Sequence, residues 1–273
     1  MISGELFQSL ADICFYDQIS DIMLQQCAMI PQNIKRVDEV DVADISKYKR
    51  IFVYTHSIDI FCSKFLPHLS DNTVIITHNS DAGIQDKCLL YLQSPKITKW
   101  FCQNKETEHV KLYSLPIGLA NSQWVHGNQQ MISQIREENN KKEILVFKNF
   151  NINTNYGERV DCEIKTSSTG IQMHNTQSVE NYWRSIAKSL FIISPIGNGV
   201  DCHRIWESLF LRSVPVVKYH KAFNQFTHLP ILFINDWSEV TVERLRSEAN
   251  RFMNYNFNIE ELEIEYWKNK ILI

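Results

Sequence analysis

The chain has 273 residues, a formal charge of −3, and ordinary shares of apolar (44%) and charged (22%) residues. That length allows one large or two compact domains with ample core. The charge is slightly negative, and lysines and arginines are scattered with no basic block, which excludes a general pull towards nucleic acid or an anionic membrane. Cysteines stand at 14, 27, 62, 88, 102, 162 and 202. An odd number without a Cys-x-x-Cys pair argues against a disulfide framework and a zinc ribbon, and most read as buried thiols.

From the amino terminus to Ala28 the pattern suggests one or two amphipathic helices. It has no basic stretch followed by an apolar run, so no signal peptide is expected. No segment approaches the roughly 20 apolar residues of a membrane span, and a soluble, cytoplasmic protein is expected. Strands are predicted at Arg50–Tyr54, Thr73–Ile76, Thr98–Phe101 and Val110–Tyr113, with helical stretches around Ile60–Leu66 and Gln85–Leu92 between them. A polar helix over His126–Asn140 is the best candidate for a connector, which divides the chain into residues 1–138 and 139–273. The second series runs strand Glu143–Phe147, helix Ser178–Ser189, strand Leu190–Ile193, helix Asp201–Leu211, and strands Val214–Val217 and Ile231–Ile234. Helices near Val242–Phe252 and Ile259–Lys270 close the chain, the last of them free to pack back on the first domain. Short apolar strands alternating with helices imply an α/β protein with a mostly parallel, doubly covered sheet in each half.

Polar clusters follow the strands. His56 comes after the first, His78, Asn79, Ser80 and Asp81 after the second, and Gln103 and Asn104 after the third. In the second half Asn149, Asn151, Asn153 and Thr154 follow Phe147. Open α/β sheets bind ligands outside the carboxyl ends of their strands.

The most informative stretch runs from Ser194 to Glu207. Strand, glycine-containing turn, helix and strand form a frame that holds anionic ligands at a helix start. Gly197 and Gly199 could serve only a tight turn, but Asp201, His203, Arg204 and Glu207 all lie within seven residues of the turn's end. Arg204 can fork onto phosphate oxygens, and Glu207 can accept from a pair of ribose hydroxyls. A carboxylate beside a diphosphate is repulsive, so Asp201 reads as an N-cap or as a brace for His203 or Arg204. The spacing is not the dinucleotide fingerprint, because Cys202 fills the third glycine position.

The block SPIGNGVDCHRIWESLFLRSVPVV resembles the carboxy-terminal part of exostosin-type glycosyltransferases and their microbial and viral relatives. It shares their Pro-Gly turn, Arg, helix Glu and small-x-Pro-Val-Val strand. Weaker similarities run through THNSD (Thr77 to Asp81), KWFCQN (Lys99 to Asn104), LPIGLANSQWVHGN (Leu115 to Asn128) and LPILFINDWSEVT (Leu229 to Thr241). The resemblance implies a GT-B-like arrangement, with two Rossmann-like domains facing each other across a cleft and the second holding a nucleotide-sugar. The chain is expected to depart from the family in being short and in lacking a membrane anchor.

Sugar transfer needs charge stabilisation on the leaving diphosphate and a positioned acceptor hydroxyl. No Asp-x-Asp or His-Glu-x-x-His occurs, so no metal or other cofactor is expected. The donor, read as a UDP-sugar, would meet Thr154, Arg159, Ser194, Gly197, Asn198, Gly199, Asp201, His203, Arg204, Glu207 and Lys218. Asp81 is the candidate base, with His78 and His56 as alternatives, and Asn79 and Asn104 join them on the acceptor side. The acceptor is a glycan or other hydroxyl compound. Two other readings stay open: a nucleotide- or sugar-binding module without turnover, and a nucleotide-dependent phosphotransferase, for which no Walker P-loop is present.

Overall fold

The apolar runs form two parallel sheets in the computed structural model, which describes residues 1–17, 34–138, 140–175 and 178–272. The chain divides into two compact units. Met1–Gly127 and the closing segment Glu263–Ile273 form the first, and Asn128–Leu262 the second. The division thus falls before the polar helix, not after it at 138/139, and that helix belongs to the second unit.

In the first unit, helix α1 (Gly4–Ser9) precedes β1 (Ile13–Tyr16), and β2 (Ile34–Arg36) follows. Then come β3 (Arg50–Tyr54), α2 (Ile58–Phe65), β4 (Thr73–His78), α3 (Leu89–Leu92), β5 (Ile97–Cys102) and β6 (Leu112–Ser114). All six strands pair in parallel in the order β2-β1-β3-β4-β5-β6. The order reverses at β1, which puts a topological switch point between β1 and β3. The helices expected through Ala28 give way here: α1 is short and Ile13–Tyr16 is a strand, while the remainder of that expectation lies outside the described residues. A four-residue apolar run buried on both faces carries no period, so sequence alone does not separate strand from helix. Phe15, Ile51, Val53 and Ile75 share a core with Phe61 and Phe65 of α2. Trp100 sits in the same core, its indole N–H donating to Thr77 Oγ1 at 2.9 Å.

The second unit begins with α4 (Gln129–Glu137) and β7 (Ile144–Phe147), followed by α5 (Tyr156–Ser168) and α6 (Val179–Lys188). It continues through β8 (Ser189–Ile193), α7 (His203–Phe210), β9 (Val214–Lys218), β10 (Leu232–Ile234) and α8 (Val242–Met253). The four strands are parallel and ordered as in sequence, β7-β8-β9-β10. Phe191, Ile193, Val214, Val216 and Trp237 lie at the centre of its core. Each such large apolar side chain contributes about 1.5–3 kcal/mol on burial. Lys142 ties two helix ends together: its Nζ donates to Ala187 O at 2.8 Å, Leu211 O at 3.1 Å and Ser213 Oγ at 2.6 Å. A cation suits the carbonyl ends of helices. Among the described residues no helix is long and apolar enough to cross a membrane.

Candidate functional site

At the end of β8 the chain is fully buried, and Ser194 Oγ donates back to Ile192 O at 3.0 Å. Ser194 therefore fastens the strand end internally. The turn that follows is held by the segment after β7. Asn155 Nδ2 donates to Gly197 O at 2.8 Å, and Arg159 Nε donates to Ile196 O at 2.9 Å. Arg159 Nη1 donates to Asn151 O at 2.6 Å. A Cβ on residue 197 would lie 3.4 Å from Arg159 Nη2 and 3.9 Å from Thr154 Cγ2. These are ordinary van der Waals distances and the backbone is not left-handed, so the fold itself does not demand glycine at 197; its missing side chain leaves the space beside Arg159 Nη2 unfilled. The structure brings Thr154, Arg159 and Gly197 together, 40 or so residues apart in sequence.

Helix α7 begins at His203, two residues later than the predicted start at Asp201. Its N-cap is Cys202, in extended conformation and with no side-chain capping bond, not Asp201. Asp201 is buried and accepts the indole N–H of Trp206 on both carboxylate oxygens, at 2.8 and 2.9 Å. It braces the helix through Trp206, five residues on. Asp201 as a cap is thereby corrected. The indole N–H of a fully buried tryptophan needs an acceptor, and the turn supplies one.

Arg204, in the first turn of α7, is half-buried. Its Nε donates to the Tyr182 hydroxyl at 3.1 Å, and that hydroxyl lies 3.4 Å from Glu207 Oε2. Glu207 is itself buried. The guanidinium carbons of Arg159 and Arg204 lie 5.8 and 6.0 Å from the Phe150 ring centre. Burial, and after it the nearby charge of Arg204, pulls the pKa of Arg159 below the usual guanidinium value. Burial also opposes the charge on Arg204, but Tyr182, Cys202 and Glu207 outweigh it and raise its pKa. Among the described residues no carboxylate oxygen lies within 4.0 Å of either guanidinium. Burial and the neighbouring guanidinium thus oppose the charge of Arg159, and an anion reaching both arginines would relieve that repulsion. Lys218 differs: Glu158 Oε2 lies 3.4 Å from its Nζ, and the other oxygen of Glu158 accepts from Trp237 Nε1 at 2.7 Å. Asn198 is exposed and His203 opens the helix. Tyr182 and Phe150 carried no signal in the sequence, because only the packing of α6 and of the chain after β7 brings them to α7.

In the first unit the residues after the strands are knit to one another. The backbone N–H of Asn79 donates to His78 Nδ1 at 2.8 Å, so Nε2 carries the ring proton and donates to Pro116 O at 3.1 Å. His78 is buried with both nitrogens engaged, which removes it as an alternative base. Asn79 adopts a left-handed backbone (φ 58°), and its side chain reaches α1 so closely that a Cβ on residue 4 would lie 1.7 Å from its Oδ1. Only glycine fits there. Asn104, also left-handed and buried, donates from Nδ2 to the carbonyl of Asp81 at 3.2 Å and so shapes the Asp81 loop. Asp81 is exposed, as is His56. The same region carries further buried polar atoms, of which the sequence singled out only Gln103. Gln8 Nε2, Thr55 Oγ1, Ser57 Oγ and Gln103 Oε1 are buried without a hydrogen-bond partner.

Residues 129–260 match the family model of the RXYLT1 C-terminal domain. The match spans nearly the whole second unit, from the start of α4 to beyond α8, and so includes the arginine pair and the Gly197 turn. Among solved structures, T4 phage β-glucosyltransferase is similar at 13% identity and a TM-score of 0.32, over 88% of this chain and 78% of that one. No curated protein matches the chain.

Proposed function

We propose that this chain is a glycosyltransferase that moves a sugar from a nucleotide-sugar, read as a UDP-sugar, to a hydroxyl of a glycan or similar acceptor. The observation that carries this reading is the pair of guanidiniums without counter-ions at a glycine turn that opens a helix. Such a site suits a diphosphate, and the match to the xylosyltransferase-related RXYLT1 C-terminal domain supports the same chemistry. In this reading Arg159 and Arg204 take the phosphate oxygens, and Glu207 takes the ribose hydroxyls. As the glycosidic bond to the donor breaks, negative charge grows on the departing diphosphate, where fixed positive groups stabilise it most. The arginines supply that charge, so the reaction is proposed to run without a metal. The GT-B division of labour belongs to the proposal as well, with the second unit holding the donor and the first the acceptor. Asp81 is proposed to take the acceptor's proton, the role an inverting reaction requires.

The test is turnover. Incubation with a panel of nucleotide-sugars should release free nucleoside diphosphate from a UDP-sugar and continue in EDTA. Binding of UDP without release from any donor would leave a binding module instead, and full loss in EDTA with recovery on manganese would reject the metal-free reaction.

A further inference from the structure

Arg204 and Glu207 stand three apart on α7, a spacing at which an arginine and a carboxylate ordinarily pair. Here no nitrogen of Arg204 comes within 4.0 Å of Glu207. The Tyr182 hydroxyl stands between them, 3.1 Å from Arg204 Nε and 3.4 Å from Glu207 Oε2. The direction of both bonds is fixed by chemistry. A guanidinium only donates and a carboxylate only accepts, so the phenol accepts from the arginine and gives its one proton to the glutamate. The hydroxyl's one proton is thereby committed to Glu207. What remains is the outer edge of Arg204, whose Nη1 and Nη2 have no partner among the described residues. Tyr182 itself is placed firmly: it stands on α6, and its ring lies 6.0 Å from that of Phe147 in β7.

We infer that Tyr182 is a positioning residue that keeps Arg204 off Glu207 and so preserves the anion site. Without the hydroxyl, Arg204 would close onto the carboxylate three residues on. A direct ion pair would satisfy both groups and cancel the charge that a phosphate needs. The inference rests on the proposed phosphate role of Arg204, and it assigns Tyr182 no contact with the ligand.

Inorganic pyrophosphate is the right probe, because it needs the arginines and has no ribose for Glu207 to hold. Calorimetry on the full chain would compare wild type, Tyr182→Phe, Glu207→Gln and the double variant, each checked for cooperative unfolding. Tyr182→Phe should weaken pyrophosphate binding about 10-fold, the scale of one charge-assisted hydrogen bond. Glu207→Gln alone should change affinity only about 2- to 3-fold, since it removes one nearby negative charge. In the Tyr182→Phe background the same change should restore affinity to near the wild-type value, because the carboxylate that captures Arg204 is gone. A purely structural role for Tyr182 would give a loss that Glu207→Gln does not rescue. That outcome, or an unchanged affinity in Tyr182→Phe, overturns the inference while leaving the anion site standing. Failure of the wild type to bind pyrophosphate overturns the site and this inference with it.

Discussion

The two units place polar side chains at the carboxyl ends of parallel strands, but they treat charge differently. In the first unit the groups there are mostly neutral and bonded among themselves: His78 to Asn79 and Pro116, Asn104 to Asp81, Gln8 to Tyr54. In the second, two guanidiniums stand together with no carboxylate within 4.0 Å among the described residues, whereas Lys218 pairs with Glu158 and Lys165 with both Asp161 and Asp236. In the proposed reading, that difference leaves the two guanidiniums to an anion that arrives from outside. On the same proposed reading the neutral end takes hydroxyl compounds, which both donate and accept, and the charged end takes phosphate.

The largest expected effect separates the two ends by function. Asp81→Asn should reduce sugar transfer by about 10²-fold or more, the scale of general-base removal, while UDP affinity stays near the wild-type value. Wild-type turnover in that variant would return Asp81 to a turn residue. With His78 committed to Asn79 and Pro116, the exposed His56 would then be the group to test.

A second experiment asks whether the turn of the charged unit is braced as described. Asp201→Ala leaves the buried Trp206 indole N–H without its acceptor and should cost about 1–3 kcal/mol in denaturant unfolding. Asp201→Asn keeps an acceptor oxygen and should cost less. Equal losses would show that charge, not the hydrogen bond to Trp206, makes the contribution.

The smallest effect concerns Lys142, the clamp between α6 and α7. Burial first, and Arg212 second, push its pKa down to about 7, against about 10.4 for a lysine in an unfolded chain. Between those values the unfolded chain holds the extra proton, so raising the pH favours the folded state; the advantage is lost as pH falls through 7. Its three acceptors work the other way and hold the ammonium. Urea midpoints at neutral and mildly alkaline pH should therefore rise slightly in the wild type and not in Lys142→Met. The same slope in both would mean that the acceptors win and the ammonium stays charged in the folded protein.

What could be read in the sequence follows from how local the determinants are. Strands β3, β4 and β5 and the frame of β8, α7 and β9 are apolar runs bounded by turn residues, and periodicity finds them. Strand β1 was not legible, because Ile13–Tyr16 is apolar throughout and its partners lie in distant segments. Gly197, Arg204 and Glu207 stood out by spacing alone. Asp201 misled, since an acidic residue before a helix is a good cap and nothing local shows that Trp206 claims it. Tyr182 and Phe150 reach Arg204 only through packing between elements, and such a relation leaves no mark on either segment.

Calorimetric titration of UDP tests the central claim most directly, with wild type, Arg159→Ala, Arg204→Ala and the double variant compared side by side. Each single change should weaken binding by about 1.5–3 kcal/mol, roughly 10- to 100-fold, and the double change should remove measurable affinity. Wild-type affinity in a well-folded double variant would contradict the account, because it would place the nucleotide away from the only two guanidiniums on which the anion site is built.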